Sequence, residues 1–268
     1  MILDFHKFDG AGNDFILLDA RKEVPELSPK TIAQICHRRF GVGADGLMLL
    51  ASAPEGYDFA MQYFNSDGYP ADMCGNGGRC IALFAHLLGI GDRVGEEVRL
   101  RFLAADGPHN ATILQWDADS RKGEVRLGMR DVPKTTLRTL LQGHWLNTGV
   151  PHYVQRVTDL AHFDVVGEGR RLRHHPDMGP EGANIDFVEP DDDGCLFVRT
   201  YERGVEDETW ACGTGVTACA LVTGIRRLRT RGGSFEVDFN TTPTAYTDIR
   251  LTGPVSYNFK GTIKPTLS

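Results

Sequence analysis

One pattern occurs twice in this chain and limits its fold more than any other feature. Residues Asp72-Met73-Cys74-Gly75-Asn76-Gly77-Gly78-Arg79-Cys80-Ile81-Ala82 place a cysteine before Gly-polar-Gly and then enter an apolar segment. Trp210-Ala211-Cys212-Gly213-Thr214-Gly215-Val216-Thr217-Ala218-Cys219-Ala220 repeats that order. The first segment carries Ile81, Leu83, Phe84, Leu87 and Leu88 and stops at Gly89; the second carries Ala218, Cys219, Ala220, Leu221, Val222 and Ile225. Apolar residues cover most of each circumference, so each reads as a helix buried on nearly all sides. Many short strand-like stretches surround them, and sheets wrapped around each helix would supply the cover. The fold class is therefore α+β, with two similar domains, each a strand-rich wrap around a central buried helix. Cys74 and Cys212 divide the chain roughly into halves, which points to an internal duplication.

The rest of the sequence fits that plan. Gly10-Ala11-Gly12-Asn13-Asp14 reads as a turn before the strand Phe15-Ile16-Leu17-Leu18. Ser28-Pro29 caps a helix carrying Ile32, Ile35 and Cys36, which Gly41 ends. Gly41-Val42-Gly43-Ala44-Asp45-Gly46 feeds the buried strand Leu47-Met48-Leu49-Leu50; without a Lys-Ser/Thr ending and a following helix it is no phosphate loop. Further strands are expected at Phe59–Phe64, Val98–Phe102, Ala111–Gln115 and Glu124–Leu127. The polar stretch Trp116-Asp117-Ala118-Asp119-Ser120 marks the boundary between a first domain, residues 1–117, and a second, residues 118–268. A strand from the C-terminal tail is expected to complete the first. In the second half, Leu146–Tyr153 holds a turn, and strands follow at Ile185–Val188 and Leu196–Tyr201. Asp191-Asp192-Asp193-Gly194 reads as a solvated hairpin tip in preference to a metal site. Arg226, Arg227, Arg229 and Arg231 fall where the second helix should end, as charges at its negative pole. The tail returns as separate strands near Phe235–Phe239, Thr247–Leu251 and Tyr257–Ile263.

A formal charge of -7 gives no general attraction for nucleic acid or an anionic membrane. Met1-Ile2-Leu3-Asp4-Phe5-His6 has no basic region leading into a long apolar run, and no segment is long enough to span a bilayer. A cytoplasmic, reducing location is the simple expectation, and six cysteines are too sparse for a disulfide scaffold.

A helix N-terminus leaves several N–H donors free and carries partial positive charge, so it attracts an anion and activates a nearby thiol. Five residues separate Cys74 from Cys80 and six separate Cys212 from Cys219, poor spacing for zinc. Cys80 and Cys219 read as packing residues inside the helices. A redox disulfide would not explain the Gly-polar-Gly amides, and one catalytic thiol would leave the other block idle. Two opposed thiols use both blocks: one, as thiolate, removes a proton from carbon, and the other, as thiol, returns one to the opposite face. Helix amides aimed at a substrate carboxylate would help to stabilise the carbanion.

At these residues the sequence resembles diaminopimelate epimerase over nearly the whole chain. The carrying stretches are Gly10-Ala11-Gly12-Asn13-Asp14-Phe15, Gly41–Gly46, Phe64-Asn65-Ser66-Asp67-Gly68, Met73-Cys74-Gly75-Asn76-Gly77, Gly182-Ala183-Asn184, Tyr201-Glu202-Arg203-Gly204 and Ala211-Cys212-Gly213-Thr214-Gly215. The resemblance implies a cofactor-independent amino-acid epimerase that interconverts LL- and meso-2,6-diaminopimelate, with its active site in the cleft between two similar domains. It implies a homodimer, a small-molecule amino-acid substrate, no metal, and no nucleic-acid or membrane partner. Carried over position by position, Cys74 and Cys212 match the acid/base pair. Asn13, Asn65 and Asn184 match residues that hold the substrate's amino and carboxylate groups, and Gly75-Asn76 and Gly213-Thr214 match the two amide nests. Arg203 matches an arginine for the distal carboxylate, Glu202 a glutamate that assists the site, and His152 a histidine near the catalytic centre.

Two positions depart from the family pattern. Gly149-Val150-Pro151-His152 has valine where many members have asparagine, so distal recognition must use another group, a water or a different ligand. Phe259 stands where some members carry a tyrosine tied to dimer contacts. Racemisation of another amino acid, of the histidine or hydroxyproline type, is therefore a second expectation. A non-catalytic amino-acid-binding or redox-sensing protein is a third, which the retention of both cysteines and both nests disfavours.

Overall fold

A computed structural model describes residues 2–71 and 73–265; Met1 and Asp72 lie outside the described residues. Two compact units divide the chain, Met1–Leu127 with Pro254–Ser268, and Gly128–Gly253.

In the first unit, β1 (Leu3–Gly10) and β2 (Asn13–Ala20) form a hairpin over Ala11-Gly12, where both residues have positive φ (59° and 88°). Helix α1 (Pro29–Cys36) begins where Ser28 Oγ accepts the Thr31 N–H at 3.2 Å, with Pro29 in the first turn, where no N–H is needed. It ends at His37, before Gly41. Next come β3 (Gly46–Ala51), buried at every position, and β4 (Phe59–Asn65). The long helix α2 (Gly75–Leu87) precedes β5 (Asp92–Val94), β6 (Glu97–Ala104), β7 (Gly107–Asp117) and β8 (Lys122–Gly128). The stretch expected as a domain boundary spans the tip of the β7–β8 hairpin, where Asp117 Oδ1 accepts the Asp119 N–H at 2.9 Å. The division between units falls instead at Leu127/Gly128.

The second unit holds β9 (Val132–Pro133), β10 (Arg138–Leu140), β11 (Gly143–Asn147) and β12 (Pro151–Arg156), then α3 (Val165–Arg173). It continues with β13 (Asn184–Pro190), β14 (Leu196–Glu202), β15 (Asp207–Thr209), α4 (Gly213–Thr223), β16 (Arg227–Arg229) and β17 (Ser234–Thr241). The last strand, β18 (Ala245–Ile263), serves both units: it pairs with β17 up to Thr252 and with β1 from Ser256 onward.

One pairing order runs through both units. From β1 through β2, β3, β4 and β6 to β7 the ladders are antiparallel, parallel, antiparallel, parallel and antiparallel. From β11 through β12, β13, β14 and β16 to β17 the same alternation recurs. Each parallel step needs a crossover, and in each case a helix lies in it. The second crossover of each unit carries the cysteine-led helix. Helix α2 packs against β1, β2, β3 and β7 and is buried from Gly75 to Ala85. Helix α4 packs against strands on every side of its own unit and is buried at Gly213 and from Gly215 to Leu221. The all-round apolar pattern thus corresponds to a helix enclosed by strands. Gly77 shows how close the enclosure is, since a Cβ there would stand 2.1 Å from Met48 Cε.

Two expectations are corrected. Thr247–Leu251 and Tyr257–Ile263 belong to one strand, because Gly253-Pro254 falls where β18 has left β17 and not yet met β1. A proline without an N–H costs no bond to β17 or β1 there. Helix α4 ends at Gly224 in the left-handed conformation (φ 75°), before the arginines. Arg227 and Arg229 lie on β16, so they are strand residues and not charges at the helix pole. Arg226, Arg229 and Arg231 stack over Phe239, Phe197 and Trp210. At the Asp191–Gly194 tip, Asp191 Oδ1 accepts the Asp193 and Cys195 N–H groups at 3.1 and 2.8 Å, as a hairpin turn requires.

Candidate active site

In the first unit Cys74 is the N-cap of α2, extended at φ -104° and ψ 130°, with its carbonyl accepting the Gly78 N–H at 2.7 Å. The side chain makes no capping bond, so the sulfur stays at the helix mouth beside amides the helix itself leaves open. Cys74 Sγ lies 3.7 Å from Asn13 Oδ1, which also accepts from Asn76 Nδ2 at 3.3 Å. Asn13 is held from behind: its Nδ2 donates to Asp45 Oδ2 at 2.7 Å. Asp45 in turn accepts from Arg38 at 2.7 Å and from the Asp14 N–H at 3.2 Å. Asp14 completes the scaffold by pairing with Arg38 at 2.7 Å and with the buried Lys7. Burial works against the Asp14 carboxylate, but its bonds to Arg38 and Lys7 outweigh that and hold its pKa down at about 2. Asn65 ends β4 opposite Gly46 and next to the ladder end where Asn13 begins β2, with its backbone committed to the Asn65–Tyr69 turn.

Beneath the first turn of α2 lies Arg79, fully buried. Its guanidinium donates to the Gly75 carbonyl at 3.2 Å and to Asn76 Oδ1 at 3.0 Å, which fixes both nest residues. Burial lowers its pKa to about 10, so it remains a cation at neutral pH and adds to the helix's own positive end.

The second unit repeats the arrangement with different partners. Cys212 is the N-cap of α4 (φ -117°, ψ 113°), and its carbonyl accepts the Val216 N–H at 2.8 Å. Cys212 Sγ stands 3.4 Å from Thr214 Oγ1, which stands 2.9 Å from His152 Nε2. His152 is fully buried and its Nδ1 lies 2.7 Å from Asp186 Oδ2. Register explains the gathering: β12 and β13 run parallel with His152 beside Asn184, and β14 carries Tyr201 opposite Ile185. These side chains and Glu202 therefore share one end of the ladder. Asn184 Oδ1 accepts the Arg203 N–H at 2.8 Å, and the Arg203 guanidinium reaches Glu181 at 3.1 Å. Burial drives the Cys212 pKa well above the ordinary thiol range, and the negative charges of Glu202 and Asp186 push the same way. The Gly215 amide opposes them without prevailing, so Cys212 rests as the thiol.

Of the sequence-derived residues, Asn13, Cys74, Gly75 and Asn76 lie together at the mouth of α2, and His152, Asn184, Cys212, Gly213 and Thr214 lie together at the mouth of α4; Asn65 ends β4, and Glu202 and Arg203 follow at the end of β14. Cys80 and Cys219 are fully buried packing residues, as expected. Sequence reasoning missed Asp45, Arg38, Arg79 and Asp186. Only Asp186 left a signal, as a carboxylate inside the otherwise apolar run Ile185–Val188. Val150 lies in the turn between β11 and β12, where its carbonyl accepts the Thr148 N–H at 3.2 Å. Phe259 is half exposed on β18, edge-on to Phe5.

This fold, of two units with one pairing order, is shared with a probable proline racemase from Agrobacterium radiobacter. The TM-score is 0.71 at 16% identity, covering 99% of this chain and 93% of that one. In this chain a cysteine leads the enclosed helix of each unit. The diaminopimelate epimerase family model matches residues 5–127 and 144–246. A diaminopimelate epimerase from Flavobacterium psychrophilum is 41% identical over 97% of this chain and its own full length. Another, from Chlorobaculum tepidum, is 39% identical over 95% of this chain and 98% of its own length. The chain belongs to the diaminopimelate epimerase family and is an isomerase. Among the described residues no helix is long and apolar enough to cross a membrane.

Proposed function

We propose that this protein epimerises LL-2,6-diaminopimelate to meso-2,6-diaminopimelate, in lysine and peptidoglycan precursor synthesis, by a cysteine pair without a cofactor. One cysteine, as thiolate, takes the α-proton; the electron pair left on carbon delocalises into the adjacent carboxylate. The other cysteine, as thiol, delivers a proton to the opposite face, and the starting state returns when the first cysteine gives up its proton to solvent and the second regains one. The observation that carries this reading is the equivalence of Cys74 and Cys212: each caps the enclosed helix in the same crossover of its unit. A substrate carboxylate at such a mouth meets first-turn amides and the helix's positive end, which favours the carbanionic transition state. The raised pKa of Cys212 suits it to the role of the thiol in the resting protein, and the roles exchange when the reaction runs backward.

Asn13, Asn65 and Asn184 are assigned to the substrate's amino and carboxylate groups, and Arg203 to the distal carboxylate. Glu202 and His152 support Cys212. The protein acts as a cytoplasmic homodimer, and sedimentation equilibrium tests that assembly.

The deciding experiment follows LL-diaminopimelate by proton NMR in D₂O with reduced protein, beside Cys74→Ala and Cys212→Ala. Loss of the α-proton signal with formation of the meso isomer, abolished in either variant, is the expected result. Absence of exchange by the reduced wild type would reject diaminopimelate as substrate. Exchange with histidine or hydroxyproline in its place would transfer the same chemistry to that amino acid.

A further inference from the structure

The buried polar groups behind Cys212 form a chain whose direction can be read from its fixed ends. Asn184 sets the first. The Arg203 N–H donates to Asn184 Oδ1 at 2.8 Å, so the amide nitrogen is the atom facing the Pro151 carbonyl at 3.2 Å and His152 Nε2 at 3.4 Å. An amide nitrogen donates and does not accept, so Nε2 is an acceptor and the ring proton sits on Nδ1. Asp186 sets the second end. Its Oδ2 accepts from Nδ1 at 2.7 Å, and its Oδ1 accepts the Thr200 hydroxyl at 2.7 Å. Both Asp186 and His152 are fully buried, so no bulk water competes for these bonds.

With Nε2 an acceptor, the Thr214 hydroxyl at 2.9 Å donates to it. The Thr214 oxygen is then free to accept, and Cys212 Sγ stands 3.4 Å away. We propose that Asp186 is a positioning residue that locks His152 in its Nδ1–H form, so that the hydrogen bonds run from the Cys212 thiol through Thr214 to His152. This rests on the reading of Cys212 as an acid/base group. In that direction Thr214 keeps its own hydrogen away from the sulfur and so favours the thiol. The opposite tautomer would turn the Thr214 hydrogen toward sulfur and favour the thiolate. His152 thus acts on Cys212 through Thr214 and not by direct contact. Gly215 belongs to the same device, because a Cβ there would stand 2.5 Å from Asp186 Oδ1. The close approach of carboxylate and helix requires glycine.

The test begins with the two His152 ring nitrogens, read by ¹⁵N NMR in the full chain without substrate. A protonated Nδ1 with an unprotonated Nε2 is expected in the wild type. Protonation at Nε2 would overturn the proposal without the need of any variant. Asp186→Asn should populate the other tautomer and slow α-proton exchange about tenfold or more, less than the ~10⁴-fold loss that follows where the imidazole in front of the carboxylate is itself the base. Thr214→Val should slow exchange similarly while Thr214→Ser restores it. An Asp186→Asn protein that exchanges slowly with an unchanged tautomer would show a merely structural role and refute the assignment. So would a changed tautomer with undiminished exchange. Since the tautomer is read without substrate, failure of diaminopimelate to turn over would reject the proposed function alone.

Discussion

Two glycines at the helix mouths allow a comparison in which contact distance alone gives the wrong order. A Cβ at Gly77 would stand 2.1 Å from Met48 Cε, and a Cβ at Gly215 would stand 2.5 Å from Asp186 Oδ1. Judged by distance, Gly77→Ala should be the worse substitution. The neighbours differ, however. Met48 Cε is the free end of an unbranched side chain that can change rotamer, whereas Asp186 is held through both oxygens by His152 and Thr200. Overpacking costs about 1–3 kcal/mol, and alanine regains up to about 1 kcal/mol of helix propensity over glycine. Gly77→Ala should therefore destabilise by about 0–2 kcal/mol. Gly215→Ala adds the disturbance of a buried, bonded carboxylate, a further cost of about 1–3 kcal/mol. Its total should be about 1–5 kcal/mol, and α-proton exchange should fall with it. Urea unfolding of both variants provides the measurement, and Met48→Ala combined with Gly77→Ala checks the first number. That pair should show a favourable coupling of at least about 0.5 kcal/mol. If Gly215→Ala proved no less stable than Gly77→Ala, the argument that pinned neighbours resist and flexible ones yield would fail here.

Other consequences are simpler. The Asp14 pKa, held at about 2 by Arg38 and Lys7 against the effect of burial, lies below its ordinary value near about 4. Its contribution is thus fully present above pH ~4 and lost as the pH falls through ~2; the gap in unfolding free energy between wild type and Asp14→Asn should shrink across that window by no more than about 2 kcal/mol. Burial pushes Cys36 up to about 12, and Cys80 and Cys219 also well above the usual range, so native protein alkylated at pH 8 should show none of the three modified by mass spectrometry. Modification of Cys80 without unfolding would contradict the enclosure of α2. Ser28→Ala removes the α1 cap and should cost about 1 kcal/mol in thermal or urea unfolding without altering exchange.

What the sequence disclosed depended on whether the decisive partners were local. The enclosed helices were legible because their apolar residues cover the whole circumference within a dozen positions, and Ser28-Pro29 announced α1 through a bond three residues long. The cysteine mouths were legible for the same reason. The support of Asn13 was not, since Lys7, Arg38 and Asp45 converge on Asp14 and Asn13 only once β1, α1 and β3 are assembled. Nothing near Arg79 in the sequence tells that it turns inward to the Gly75 carbonyl. The arginines after α4 were misplaced because a left-handed Gly224 ends that helix before them. Thr247–Leu251 and Tyr257–Ile263 were expected as separate strands, yet the Gly253-Pro254 between them marks only a change of neighbour along β18.

That change of neighbour has a consequence for the order in which the molecule can be made. Leu3 pairs with Ile263, so the edge of β1 finds its partner only after more than two hundred and fifty intervening residues have left the ribosome. During synthesis the first unit can assemble its helix and the ladders from β1 to β7, but β1 keeps one side bare throughout. An unpaired edge of that kind is an adhesive surface on a nascent chain. The part of the protein begun first is among the last to be finished, and its closure waits on the same strand that completes the second unit.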